Sequence, residues 1–177
     1  MPLVWGDAAP LPVNTVDYVL RSGKVQRYHA KTPIKPQSVG EHTYGVAWLC
    51  VLLTDYNPGQ SLLMAALAHD TAEVTTGDVP APVKRLLNGA LDDMERDALE
   101  RHDIDPRKFA LTAEEAHLLS IADKLEGYAY CVHEMRMGNM TMNRTAERYH
   151  DYLRAMELPL RARQLLQQIT ESINERE

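Results

Sequence analysis

The 177-residue chain has two cysteines, one phenylalanine and fewer basic than acidic side chains. Cys50 and Cys131 lie far apart and form no CxxC motif, so we predict two reduced, buried thiols. The formal net charge of −6 argues against a basic surface that binds a nucleic-acid polymer. No apolar run approaches the roughly 18 residues of a membrane helix and no signal peptide is evident, so we predict a cytoplasmic protein without a membrane partner.

The motifs of several large enzyme classes are also missing. No Walker A, GxGxxG, HExxH or GxSxG pattern occurs, so nothing supports a P-loop NTPase, a Rossmann oxidoreductase, a zincin or a serine hydrolase. No run of alternating β-branched residues stands out, which predicts an all-α fold. The length suits one domain over 1–177, with an N-terminal arm (1–13), a core that carries the candidate site (14–137) and C-terminal helices (138–177).

Capping residues divide the chain into helices. Ser38 and Thr112 each stand three residues before a glutamate, which is the spacing of a capping box. Asn14 or Thr15 is the predicted cap of the first helix, and Ser61 that of the third. The predicted helices span about residues 15–28, 39–56, 62–74, 80–87, 88–102, 113–137, 141–157 and 160–175.

Residues 67–84, LAHDTAEVTTGDVPAPVK, concentrate polar groups at the end of an apolar helical run. On a helix His69 and Glu73 share a face, and Asp70 lies one turn from Glu73. An imidazole and a carboxylate suit a borderline divalent metal, and a second carboxylate can handle a proton. The same residues fit an ordinary charged helix end, but charge at the end of a buried helix is costly unless something such as a metal compensates it.

Two further polar residues interrupt apolar helix faces. His42 is either a core histidine with a satisfied hydrogen bond or a ligand, and Asp123 is either partly exposed or turned inward with a partner. Glu126, one turn after Asp123, is either its companion or a residue that points to water. With His69 and Asp70, His42 and Asp123 bring two imidazoles and two carboxylates to three helices, as in metal sites inside helical bundles. Such a set leaves positions on an octahedral ion for water and a substrate oxygen.

The order H…HD…D resembles the HD-domain metal phosphohydrolases. Three blocks extend the likeness to the YfbR-type 5'-deoxynucleotidases: RYHAKTPIKPQSVGEH (27–42), AHDTAEVTTGDVPAPVK (68–84) and IADKLEGYAY (121–130). The resemblance implies an all-α HD domain that cleaves 2'-deoxynucleoside 5'-monophosphates to a deoxynucleoside and phosphate. It also implies one divalent metal ion (Mn, Co, Zn, Fe or Ni), a small-molecule deoxynucleotide substrate and a homo-oligomer.

The resemblance also carries over roles for single residues. The implied metal ligands are His42, His69, Asp70 and Asp123. Glu73 matches the family's carboxylate beside the attacking water, so Glu73 and Asp70 are the implied catalytic residues. A divalent cation can activate water and polarise a phosphoryl oxygen, which agrees with these roles.

A second group of residues is implied in substrate binding. Arg27 matches a phosphate contact, and Tyr28 stands where the characterised nucleotidases have tryptophan, which bears on sugar discrimination. The implied sugar contacts are Asp78, Val79 and Pro80. Lys84 offers a point charge to phosphate. Each also has a structural alternative: Arg27 caps a helix or pairs with Glu41, Asp78 supports the turn at residue 77, and Lys84 is a surface residue.

Two other functions use the same site. Small phage HD proteins that resemble this chain remove the whole triphosphate from dATP, and basic residues could hold the additional phosphates here, namely Lys31, Lys35, Lys84 and Arg85. A non-catalytic nucleotide sensor, in which the metal only holds the bundle together, is the alternative from another class. Glu73 argues against the sensor, because a structural metal site needs no free carboxylate beside the ion.

Overall fold

The computed structural model describes residues 12, 14–87, 89–104 and 109–174. Its α-helices are α1 (Thr15–Ser22), α2 (Val39–Leu53), α3 (Gln60–Ala68), α4 (Glu73–Thr76), α5 (Ala81–Leu86), α6 (Ala90–Glu100), α7 (Ala113–Arg136), α8 (Asn143–Ala155) and α9 (Leu160–Glu171). Two two-residue strands, β1 (Gln26–Arg27) and β2 (Gln37–Ser38), pair antiparallel. The predicted all-α fold is confirmed. Apart from Pro12, the predicted arm over 1–13 lies outside the described residues.

The central helix of the fold is α7, which α2, α3, α8 and α9 all contact. Its residues Ile121, Leu125 and Cys131 are fully buried, and Val46 and Cys50 of α2 meet them in the main core. Burial of such side chains from water is the main force that holds these helices together. A smaller apolar cluster, which includes Tyr18 and Ala98, joins α1 and α6 to the chain just before α4. The main core therefore holds α2 against α7, and the smaller cluster holds α1 and α6 against the chain that enters α4.

The predicted first helix, 15–28, is too long. It ends at Ser22, because the backbone at Gly23 lies against Gly40: the Gly40 amide donates to the Gly23 carbonyl at 3.1 Å, and a Cβ on Gly40 would lie 3.0 Å from that carbonyl oxygen. The Val39 amide likewise donates to the Val25 carbonyl at 2.8 Å. Arg27 is consequently on a strand and not on a helix.

The predicted third helix, 62–74, is also wrong in its extent. Gly59 and not Ser61 is its N-cap, and α3 ends at Ala68. The chain then turns, with the Thr71 amide donating to the Ala68 carbonyl, before α4 begins at Glu73. Neighbouring side chains on a regular helix point about 100° apart, so this turn allows consecutive residues 69 and 70 to face one point.

Both predicted capping boxes are confirmed. The Ser38 hydroxyl accepts from the Glu41 amide at the start of α2, and the Thr112 hydroxyl accepts from the Glu115 amide at the start of α7. Beyond α7 the chain turns at Gly138, whose φ of 99° favours glycine. Within the described part of the chain, no helix combines the length and apolarity needed to cross a bilayer.

Candidate active site

Four side chains from α2, the α3–α4 turn and α7 meet at one point. His42 Nε2 lies 3.2 Å from His69 Nε2 and 3.4 Å from Asp70 Oδ2. It lies 3.3 Å from Asp123 Oδ1, and His69 Nε2 lies 3.5 Å from Asp70 Oδ2. Ligand atoms that share one ion at about 2.1 Å and at roughly 90–110° are about 3.0–3.4 Å apart. These four pairs therefore have about the spacing of neighbouring positions in one coordination sphere. The ligand atoms of His42, His69 and Asp123 all lie within 4.8 Å of one another, and Asp70 approaches that group from the side of the two histidines.

Hydrogen bonds behind the cluster set the direction of both imidazoles. His42 Nδ1 donates to Glu126 Oε2 at 2.5 Å, and His69 Nδ1 donates to the Ala66 carbonyl at 2.9 Å. Because the proton of each neutral ring is then on Nδ1, both Nε2 lone pairs point to the centre. Two lone pairs and two carboxylate oxygens repel one another at these distances. The donor set therefore fits a cation.

The charge states of the cluster follow from the same contacts. Burial raises the pKa of Asp123, but the hydrogen bond to His42 and the nearby ammonium of Lys124 lower it by more. Its pKa therefore falls well below the ordinary value. Burial lowers the pKa of His42, whereas hydrogen bonds to Asp123 and Glu126 raise it and prevail. The centre therefore favours positive charge.

Glu73 is a buried carboxylate beside the cluster. Its side chain is only 3% exposed, Oε1 accepts from Lys84 Nζ at 3.2 Å, and Oε2 has no hydrogen-bond partner among the described residues. Burial and the charge of Asp70 raise the pKa of Glu73 to about 7, and Lys84 opposes the rise. A carboxylate with a pKa near neutrality and a free oxygen can accept a proton from water at physiological pH.

Arg27 lies on β1 at the edge of the cluster. Its Nη1 donates to Gln37 Oε1 at 2.8 Å and to Glu126 Oε2 at 3.3 Å. The residue is 9% exposed. Burial lowers the pKa of Arg27, but the surrounding phenols and carboxylates, Tyr28 first among them, raise it overall. The predicted alternative partner Glu41 instead completes the capping box at Ser38.

Tyr28 and Asp78 join two loops next to Arg27. Tyr28 has a left-handed φ of 56°, and its amide donates to Asp78 Oδ2 at 2.9 Å. The Tyr28 ring stacks on Tyr130 with 4.8 Å between ring centres, and its hydroxyl lies 3.0 Å from that of Tyr149. Asp78 thus holds the backbone of Tyr28 in place.

The remaining predicted substrate residues lie on the stretch that leads into α5. Val79 is half-buried, Pro80 is exposed and forms the N-cap of α5, and Lys84 reaches Glu73 from within that helix. None of the described contacts joins Val79 or Pro80 to the four clustered side chains. Lys31, Lys35 and Arg85 are exposed.

Three residues take part in this arrangement without having been predicted as site residues. Glu126 bonds His42, Arg27 and Gln37, Gln37 bonds Arg27, and Tyr149 bonds Tyr28. The spacing of Glu126 from Asp123 suggested either a companion of that residue or a side chain that points to water, whereas in the structure its partners are His42, Arg27 and Gln37. Gln37 and Tyr149 meet their partners only through the tertiary fold, so the sequence carried no signal for them.

A helical fold in which one histidine, an adjacent His-Asp pair and a distant aspartate converge defines an HD-type metal phosphohydrolase. Comparison with known proteins agrees, since residues 15–173 match the family described as 5'-deoxynucleotidase YfbR-like. The chain belongs to the YfbR-like 5'-deoxynucleotidase family. The predicted family and the predicted class, a hydrolytic enzyme that acts on nucleotides, are therefore confirmed.

Two relatives and one solved structure illustrate the similarity. The dATP triphosphohydrolase of Salmonella phage PMBT28 is 30% identical over 155 residues, which cover 76% of each chain. The 5'-deoxynucleotidase of Vibrio atlanticus (strain LGP32) is 25% identical over 166 residues, 80% of this chain and 85% of its own. The HD phosphohydrolase DatZ of cyanophage S-2L, solved with dA and one catalytic Zn²⁺ ion, superposes with a TM-score of 0.66 at 21% identity, over 92% of this chain and 98% of its own.

Proposed function

We propose that this protein is a metal-dependent 5'-deoxynucleotidase that hydrolyses 2'-deoxynucleoside 5'-monophosphates to a deoxynucleoside and phosphate. The observation that carries the proposal is that His69 Nε2, Asp70 Oδ2 and Asp123 Oδ1 all lie within 3.4 Å of His42 Nε2, beside the buried Glu73, whose Oε2 has no partner among the described residues. Membership of the YfbR-like family supports the same reaction.

The four clustered residues would hold one divalent cation through His42, His69, Asp70 and Asp123. A mixed set of nitrogen and oxygen donors suits Mn, Co, Zn, Fe or Ni. A cation bound there supplies Lewis-acid chemistry at the phosphoryl group. The Zn²⁺ in the DatZ structure supports a metal of this kind.

Glu73 would accept the proton of the attacking water. Its Oε2 is unpartnered among the described residues, while Lys84 holds Oε1 and so fixes the orientation of the carboxylate. Asp70, which is a proposed ligand and also the charge that most raises the pKa of Glu73, would help to keep that pKa high enough for proton acceptance.

Arg27 and Lys84 would bind the phosphate. Arg27 uses Nη1 for its bonds to Gln37 and Glu126, so Nη2 is the donor that a phosphate oxygen would meet. The sugar would lie against Tyr28 and the stretch Asp78, Val79 and Pro80. The bond from the Tyr28 amide to Asp78 supports this placement, because it brings both loops to one edge of the site.

A second candidate activity is removal of the whole triphosphate from a deoxynucleoside triphosphate, as the name of the Salmonella phage relative suggests. The phage dATP triphosphohydrolase is more similar in sequence, at 30% identity, than the Vibrio atlanticus nucleotidase at 25%. In this chain, the exposed Lys31, Lys35 and Arg85 are available to additional phosphates. The sensor alternative has weaker support, because a metal site that only stabilises the fold does not need the buried carboxylate of Glu73 beside it.

One experiment separates these activities. The purified protein is incubated with dAMP, AMP and dATP in the presence of each of Mn²⁺, Co²⁺, Zn²⁺, Fe²⁺ and Ni²⁺, and orthophosphate and tripolyphosphate are resolved by ion chromatography. We expect orthophosphate from dAMP, no turnover after chelation, and a loss of at least about 100-fold in kcat for Glu73→Gln. Glu100→Gln, an exposed glutamate on α6, serves as the control. Tripolyphosphate from dATP alone would support the second activity, and no product under any condition would support the sensor.

We also propose that the protein is a homo-oligomer in the cytoplasm. The exposed apolar side chains Val16 and Leu20 on α1 and Tyr44 and Trp48 on α2 support self-association, since the end of α1 abuts the start of α2 at Gly40. Cys50 and Cys131 are separate buried thiols, as is usual in a reducing compartment. Light scattering at micromolar concentration tests the assembly, and a monomer there would contradict it.

A further inference from the structure

Glu126 of α7 connects the two halves of the proposed site. Its Oε2 accepts from His42 Nδ1 at 2.5 Å and from Arg27 Nη1 at 3.3 Å. Its Oε1 accepts from Gln37 Nε2 at 2.6 Å, and Gln37 Oε1 in turn accepts from Arg27 at 2.8 Å. Only 12% of the Glu126 side chain is exposed. One carboxylate is therefore bonded to a proposed metal ligand and, directly and through Gln37, to the proposed phosphate-binding arginine.

We propose that Glu126 is a positioning residue that holds His42 and Arg27 in register, so that the cation and the phosphate are bound by one connected unit. The inference rests on the proposed function for the role of Arg27. Glu126 touches neither the cation nor the substrate in this proposal, and it acts through the two residues that do.

The direction of the His42 ring depends on this carboxylate. Since Glu126 is an acceptor only, His42 must keep its proton on Nδ1, and the Nε2 lone pair is then directed to the other three ligand atoms. A neutral amide at position 126 has a single acceptor oxygen and an NH₂ group that cannot accept a bond. Either His42, Arg27 or Gln37 would then lose its acceptor, and the imidazole would be free to rotate or to move its proton to Nε2.

The position of Arg27 depends on the same group. A guanidinium that is 9% exposed requires an opposite charge nearby, because an unpaired buried charge is costly. Glu126 is the carboxylate that Arg27 contacts in the described part of the chain, and Gln37 adds a second bond to the same Nη1. Loss of the Glu126 charge would let the Arg27 side chain turn to water.

The packing of α2 against α7 makes room for this carboxylate. Gly45 lies one turn after His42, and a Cβ at that position would be 2.8 Å from Glu126 Cγ and 3.3 Å from its Oε1. A Gly45→Ala substitution would therefore push Glu126 away from His42 while leaving the carboxylate in the protein. Alanine also has a higher helix propensity than glycine, so this variant is expected to fold.

The test measures Zn²⁺ affinity by competition with a chromophoric chelator, the visible spectrum of the Co²⁺-loaded protein, and KM for dAMP. We expect Glu126→Gln to weaken Zn²⁺ binding about 10- to 100-fold, to change the Co²⁺ spectrum and to raise KM. Gly45→Ala should shift all three in the same direction. The matched control is Glu134→Gln. Glu134 is a fully buried carboxylate of α7 that accepts hydrogen bonds from the amides of Ile34 and Lys35. The Zn²⁺ affinity of this variant should stay within about twofold of the wild type, which is less than loss of an outer-shell partner causes.

Each outcome has a defined meaning. If Glu126→Gln and Gly45→Ala both bind Zn²⁺ like the wild type, Glu126 does not position His42 and the inference fails. If Glu134→Gln weakens Zn²⁺ binding as much as Glu126→Gln, the effect reflects general destabilisation of α7 and the inference also fails. If the wild type binds Zn²⁺ but hydrolyses no nucleotide, the proposed function fails, while the Zn²⁺ affinities still decide whether Glu126 positions the ligand.

Discussion

Replacement of Glu73 by glutamine should make the metal-free protein more stable while it abolishes turnover. Glu73 is almost completely buried, and burial together with the charge of Asp70 raises its pKa from 4.5 to about 7. Between these two values the folded protein binds more protons than the unfolded chain, so stability falls as the pH rises from 4.5 to 7. Glutamine resembles the protonated carboxyl group in shape and charge, so it avoids this loss.

The expected size of the effect follows from the pKa. At about 1.4 kcal/mol for each pH unit, a rise from 4.5 to about 7 corresponds to about 3 kcal/mol of unfolding free energy above pH 8. Near pH 5 less than about 1 kcal/mol of it remains. For a protein of this length the larger figure is a rise in Tm of about 6–12 °C. The gain should shrink when Zn²⁺ is added, since a cation stabilises the wild-type carboxylate.

Thermal unfolding in EDTA, followed by circular dichroism at pH 5 and pH 8.5, measures this directly. The control is Glu134→Gln, because hydrogen bonds from Asn139 and from the backbone outweigh burial and lower the pKa of Glu134. That carboxylate stabilises the fold above its ordinary pKa, so its loss should lower Tm at pH 8.5. Equal Tm values for Glu73→Gln and wild type at both pH values would show that the charge of Glu73 is not strained by burial, and the argument for its raised pKa would be refuted.

Three further predictions concern the surroundings of the site. Lys84→Met removes the charge that opposes the raised pKa of Glu73, so the acidic limb of the pH profile of kcat/KM should move to higher pH, with a several-fold loss at pH 6 and a smaller one at pH 8; an unshifted limb would contradict the pairing. Gly127→Ala should cost about 1–3 kcal/mol in urea unfolding, because a Cβ there would lie 2.5 Å from the Tyr149 ring; wild-type stability would show that the ring moves freely. Ser38→Ala should cost about 1 kcal/mol through loss of the α2 cap, and an unchanged urea midpoint would contradict that value.

The starts of α2 and α7 and the candidate ligands could be predicted because short stretches of sequence mark them. The boxes at Ser38 and Thr112 depend on residues three apart, and the structure has both. His42, His69 and Asp123 interrupt apolar stretches, which is where an inward-facing ligand stands out in a sequence. The structure brings these residues together with Asp70, while their roles as ligands stay a prediction.

The parts that could not be predicted depend on contacts between distant segments. The early end of α1 follows from the close approach of Gly23 to Gly40, and two-residue strands are too short to show alternation. The turn after Ala68 contains neither proline nor glycine, so the pattern indicated a continuous helix. Gln37 lies 89 residues from Glu126 along the chain, and no local spacing connects such a pair.

The short β1–β2 pair makes the position of Arg27 independent of the side chains on the segment that follows it. Gln26 faces Ser38 and Arg27 faces Gln37, and β2 runs directly into α2. The segment from residue 29 to residue 36 is thus closed at its base. Because the backbone makes this pairing, Arg27 keeps its distance from α2 whichever side chains the segment carries. Lys31 and Lys35, the proposed contacts for additional phosphates, lie on this segment, so substitutions there alter the exposed charge without displacing the strand that carries Arg27.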